Sequence, residues 1–105
     1  MVDREGRVTR LAAFNAITWH AGQSSYKGRR GVNGFSIGIE MVGPGEMVRM
    51  TIALCKALVE AYRLKDITTH WAVSPKRKVD PNPLFPIELC RKVALGEAAG
   101  PMGLT

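Results

Sequence analysis

Residues 35–43 read Phe35-Ser36-Ile37-Gly38-Ile39-Glu40-Met41-Val42-Gly43, and their order decides the fold. Phe35, Ile37, Ile39 and Met41 alternate with Ser36, Gly38 and Glu40. A period of two is the pattern of a strand that lays one face on a core. Small residues occupy the other face, where Glu40 alone can ionise. The stretch is therefore expected to be a central strand.

On its C-terminal side, after Pro44-Gly45, residues 46–64 read as a helix, because Met47, Met50, Leu54, Leu58 and Ala61 recur at steps of three and four. Ile67 to Trp71 reads as a further short strand, feeding a proline-rich loop, and a second helix is expected from about Pro86 to Ala94. On the N-terminal side, "DREGRVTRLA" reads as a hairpin turning at Glu5-Gly6. "GQSSYKGRRGVNG", residues 22–34, holds four glycines and little apolar matter, so it is expected to be a surface loop. The order gives α/β (α+β) with a mixed central β-sheet flanked by helices. At 105 residues there is room for one domain, set at 1–97, with residues 98–105 as a flexible C-terminal tail.

Composition narrows the class. A hydrophobic share of 46% and a charged share of 23% fit a soluble globular chain. No apolar run is long enough to span a membrane. "MVDREGRVTR" is charged from its third residue, unlike a secretory leader, so the expected location is cytoplasmic. Cys55 and Cys90 are expected to be buried thiols rather than a disulfide. The net charge of +6 suits an anionic partner such as nucleic acid or cell-wall polymer. The basic residues are scattered apart from Lys27-Gly28-Arg29-Arg30 and Lys76-Arg77-Lys78, so a solvated basic surface explains the charge equally well.

The groups able to do chemistry gather in "THWAVSPKRKVDPNP", residues 69–83, and at Glu40. Zinc accepts imidazole nitrogen and carboxylate oxygen, and a catalytic zinc takes three protein ligands plus water. His70 and Asp80 offer two such donors. A neighbouring Glu40 could take a proton from water at the metal, and Lys78 could stabilise a developing oxyanion. Spacing alone leaves the plainer readings open: His70 as a satisfied polar group, and Glu40 as a strand carboxylate paired with Lys78 or Arg77.

Three blocks carry a resemblance. Trp19-His20-Ala21-Gly22, Asn33-x-x-Ser36-Ile37-Gly38-Ile39-Glu40 and "THWAVSPKRKVDPNPLF" together resemble the zinc-dependent N-acetylmuramoyl-L-alanine amidases of the type 2 family, relatives of the peptidoglycan recognition proteins. The blocks follow the family's order and span roughly residues 1–86. The resemblance implies an amidase-like fold, with Zn2+ held by His70 and Asp80. It implies that Glu40 activates water and that Lys78 stands beside the scissile carbonyl. Trp19, His20 and Asn33 are implied to shape a substrate groove. The implied reaction is hydrolysis of the amide between N-acetylmuramic acid and L-alanine, in peptidoglycan or muropeptides. Two departures stand out. The family's first zinc ligand is a histidine ending an N-terminal strand, whereas no histidine precedes His20 here, so the expected domain lacks its N-terminal strand and helix. An aspartate common two residues after the His70 position is Ala72.

Three function classes follow. One is a zinc amidase. The second is a catalytically impaired module that binds peptidoglycan fragments without cutting them, for want of that histidine. The third is a small basic nucleic-acid- or protein-binding domain, supported by charge alone. No RNA-binding aromatic motif or zinc-finger spacing favours nucleic acid.

Overall fold

The computed structural model describes residues 1–11, 23–43, 45–75, 80–81 and 84–96. The N-terminal hairpin forms where expected. The Asp3 carboxylate accepts from the amides of Glu5 and Arg7, at 3.0 and 2.9 Å, and from the Arg7 guanidinium at 2.9 Å. Gly6 takes φ +82°, which lets the chain reverse. Val2 then bridges Val8 antiparallel and Met41 parallel. On the parallel side the Val2 amide donates to the Glu40 carbonyl and the Val42 amide donates to the Val2 carbonyl, both at 2.8 Å. The mixed pairing predicted for the sheet is thus centred on Val2, which is fully buried.

Residues 36–40 keep the predicted alternation: Phe35, Ile37, Ile39 and Met41 are half-buried, and Ser36, Gly38 and Glu40 are exposed. They form an extended segment rather than a full ladder strand. Val2 is their backbone partner among the described residues, and the pairing is confined to one end.

The expected surface loop before this segment is more ordered than its glycines suggested. Ser25–Tyr26 (β1) and Arg29–Arg30 (β2) pair antiparallel. Lys27 and Gly28, at φ +47° and +81°, make the two-residue turn whose twist suits a hairpin. A 3-10 turn at Val32–Gly34 follows. Val32 packs on Val73, with Tyr26 and Phe35 beside them, and the Arg29 guanidinium lies 3.9 Å from the centre of the Phe35 ring.

Helix α1 runs Met47–Tyr62 and ends at Arg63 in the left-handed region. Its buried stripe is Met47, Thr51, Cys55 and Leu58. Met50 and Ala61, counted on the inner face from spacing alone, are exposed, because the stripe is turned so that Thr51 and Cys55 face inward. Helix α3, Ile87–Leu95, packs against α1. Val2, Met47, Cys55, Phe85 and Cys90 form the main core cluster. Both cysteines are free and buried, as predicted. The neighbouring Cys55 side chain, with burial, pushes the Cys90 thiol up.

The strand predicted for Ile67–Trp71 is not formed. Residues 64–69 are extended, and the chain then turns into a single helical turn, α2, at His70–Val73. Thr69 explains the switch: its backbone is extended and its hydroxyl accepts from the Ala72 amide at 3.1 Å, which is an N-cap. The second helix was expected at Pro86–Ala94 and lies within a residue of that. The tail predicted for 98–105 lies outside the described residues.

Candidate functional site

Three segments meet at one end of the extended 36–40 stretch. Glu40 closes that stretch and is exposed. His70 opens α2, placed there by the Thr69 cap. Asp80 is held against the same turn by its carbonyl, which accepts from the Trp71 amide at 3.1 Å. The result is a group in which one donor atom from each of Glu40, His70 and Asp80 lies within 4.8 Å of the others. His70 Nδ1 and Asp80 Oδ2 are 2.5 Å apart. The imidazole is 12% exposed and the carboxylate 47%, so the pair is rooted in the protein and opens to solvent on its acidic side.

One nitrogen and two carboxylates are the donor types that zinc takes. The group fits a divalent cation on chemistry and proximity alike: anionic oxygens crowded this closely repel one another unless a cation or proton lies between them.

A cavity of about 760 Å³ adjoins the group, with Ile37, Ile39, Cys55, Leu58, Ile67 and Val73 among its apolar walls. Glu40, His70 and Asp80 also line it. Few convergent polar groups on an apolar cleft is the usual form of a ligand site. Of the other predicted site residues, Asn33 sits half-buried in the 3-10 turn. Trp19, His20 and Lys78 lie outside the described residues.

A second cluster escaped the sequence reading. Arg91 of α3, 2% exposed, donates through Nη1 to Asp66 Oδ1 at 2.5 Å and to the Ile67 carbonyl. The Tyr26 hydroxyl donates to the other Asp66 oxygen. Burial raises the Asp66 pKa, but hydrogen bonds from Tyr26, the Ile67 amide and Arg91 outweigh it and hold the carboxyl below its ordinary value. Tyr26 is pushed up to about 12, first by burial and then by Asp66. The cluster ties the β1–β2 hairpin, the 64–69 segment and α3 together, and so fixes one wall of the cavity. The sequence signal available was weak: a charged residue, Arg91, on the apolar face of an amphipathic helix.

Residues 1–83 match the family model described as N-acetylmuramoyl-L-alanine amidase. The chain belongs to this amidase family. It is 36% identical over 93 residues to the 1,6-anhydro-N-acetylmuramyl-L-alanine amidase AmpD of Escherichia coli K12, a match covering 81% of this chain and 51% of that protein. It is 29% identical over 107 residues to the N-acetylmuramoyl-L-alanine amidase AmiD of the same organism, covering 86% and 39%. The chain thus spans about half, or less, of the length of these relatives. Among solved structures, a selenomethionine AmpD crystal structure superposes with TM-score 0.77 at 34% identity, covering 87% of this chain and 55% of that one. The AmiD complex with anhydro-N-acetylmuramic acid-L-Ala-D-γ-Glu-L-Lys gives 0.75 at 28% identity, covering 91% and 43%. These likenesses show the α+β amidase fold. Among the described residues, no helix is long and apolar enough to cross a membrane.

Proposed function

We propose that this chain carries the site of a zinc-dependent N-acetylmuramoyl-L-alanine amidase, acting on the amide between N-acetylmuramic acid and L-alanine in a muropeptide. The observation that carries the reading is the convergence of Glu40, His70 and Asp80, from three separate segments of the family-matched stretch, within 4.8 Å. The names of the relatives point to a 1,6-anhydro-muropeptide as the substrate to try first.

His70 and Asp80 would hold the zinc. When bound, zinc supplies Lewis-acid polarisation of the scissile carbonyl. Glu40, solvent-facing and without an ion-pair partner among the described residues, is the group that takes a proton from the attacking water and returns it to the departing L-alanine amine. The C–O bond forms, the C–N bond breaks, and the products are a muramic carboxylic acid and a free peptide amine. Lys78 would steady the oxyanion, and Trp19, His20 and Asn33 would shape the groove.

A second reading, a module that holds muropeptide without cutting it, draws support from the single imidazole in the described donor group. Cleavage separates the two. With anhydro-N-acetylmuramic acid-L-Ala-D-γ-Glu-L-Lys and saturating zinc, the chain is expected to release free peptide. Glu40→Gln should lower the rate by about 10²–10⁴, the usual worth of a general base. Release that is insensitive to Glu40→Gln would remove Glu40 from the chemistry. Binding of the muropeptide with no release would favour the second reading.

A further inference from the structure

Cys55 and Cys90 are the two cysteines of the chain, and folding makes them neighbours. Cys55 stands in the middle of α1 and Cys90 in the first turn of α3. These helices pack on each other, and both side chains belong to the main core cluster. Cys55 is 8% exposed and Cys90 1%, and neither is in a disulfide.

Thiols buried in an apolar core are ordinarily inert packing. Two observations set this pair apart. Both cysteines line the cavity that also carries Glu40, His70 and Asp80, and the Asp80 carboxylate at its edge is 47% exposed. A small uncharged solute therefore has a route from solvent to both side chains. The pair is also asymmetric. The Cys90 side chain holds the Cys55 thiol below its ordinary value against the opposing effect of burial. Cys55, and then burial, push the Cys90 thiol up. The thiolate is the nucleophile, so Cys55 is the sulfur suited to attack first and Cys90 the one suited to resolve.

We infer that Cys55 and Cys90 are a reversible redox pair, which a peroxide entering the cavity converts to a disulfide bridging α1 and α3. In the first step Cys55 sulfur bonds to one peroxide oxygen, the O–O bond breaks, and the other oxygen leaves as water with the thiol proton. Cys55 is then a sulfenic acid. In the second step Cys90 sulfur bonds to Cys55 sulfur, the S–O bond breaks, and a second water carries off the Cys90 proton. Two sulfurs are each oxidised by one electron, and both peroxide oxygens are reduced to water. The bridge closes the chain around residues 56–89, which carry Asp66, His70 and Asp80. Oxidation thus staples the segment that supplies two of the three donor groups. The redox pair does not rest on the hydrolase reading.

The test treats the folded 105-residue protein with hydrogen peroxide, without denaturant, then alkylates it with N-ethylmaleimide in urea and measures its mass. The oxidised monomer should be lighter than the reduced protein by two hydrogens and should take no maleimide. Digestion should yield the Cys55 and Cys90 peptides joined, and dithiothreitol should reverse every change. Urea unfolding adds a readout that a bridge foreign to the native packing would not give. The bridged protein should have an unfolding equilibrium constant lower by about 30-fold or more, the usual effect of closing a loop in the unfolded chain. Two maleimides on the peroxide-treated protein would overturn the inference, as would oxygen adducts without a bridge or bridges between two chains. A bridged monomer no more stable than the reduced protein would overturn it as well.

Discussion

Asp66 is the residue on which the cavity wall depends most. It accepts from Tyr26, 40 positions away, and from Arg91, 25 positions away, and the Arg91 side chain is 2% exposed. Removing the carboxylate leaves a buried guanidinium without this counter-charge. Asp66→Ala is therefore expected to cost about 3–5 kcal/mol in urea unfolding, and a loss below about 1 kcal/mol would show that Arg91 reaches solvent. Tyr26 gives the cluster a pH signature. Its folded pKa of about 12 stands above the ordinary 10.0, so the folded state prefers the protonated phenol. That stabilisation is complete below pH 10.0 and is lost as the pH rises toward about 12. Tyr26→Phe should flatten the stability profile in this window, and an unchanged alkaline fall would assign it to other groups. At this scale the sequence disclosed the metal-type donors but not the buried ion pair. Glu40 stands out because a strand's small-residue face carries one ionisable group. His70 and Asp80 stand out because a stiff, proline-rich stretch joins them. Asp66, Tyr26 and Arg91 carry no mutual spacing, and only the folded chain makes them neighbours.

Helix α1 shows what periodicity can and cannot fix at the scale of the element. Its existence and its limits follow from the apolar steps between Met47 and Leu58. Its rotation does not, because Thr51 and Cys55 bury in place of Met50. Leu58 is 8% exposed and Met50 38%. Leu58→Ala should cost about 2–5 kcal/mol by loss of transfer energy and the cavity left behind. Met50→Ala should cost under about 1 kcal/mol, as surface changes do. Equal losses at the two positions would mean that the helix is turned otherwise. The segment before His70 illustrates the opposite failure. Ile67-Thr68-Thr69 has strand composition and is extended, but one hydroxyl caps a helical turn and moves His70 from a strand end to a helix start. β-branched residues favour extension, and nothing in a short window says which threonine will cap.

On the scale of the whole molecule, the sheet and the site share one origin. Val2 joins an antiparallel and a parallel neighbour, the 36–40 segment runs from that junction, and its end meets α2 and Asp80. The mixed topology was legible because a hairpin, an alternating segment and a helix follow one another in the chain. The extent of pairing was not, since pairing is a property of partners far apart in sequence. The account's central claim is that Glu40, His70 and Asp80 form one metal-dependent centre in which His70 and Asp80 are ligands and Glu40 is the base. Calorimetric titration of Zn2+ into the wild-type chain, His70→Ala, Asp80→Ala and Glu40→Gln tests it most directly. Two protein ligands, where a catalytic zinc has three, should give one weak site. His70→Ala and Asp80→Ala should each lower its affinity by more than the roughly 10–100-fold that outer-shell changes cost, and Glu40→Gln should lower it by no more than that. Zinc bound equally well by wild-type and His70→Ala protein would contradict the account.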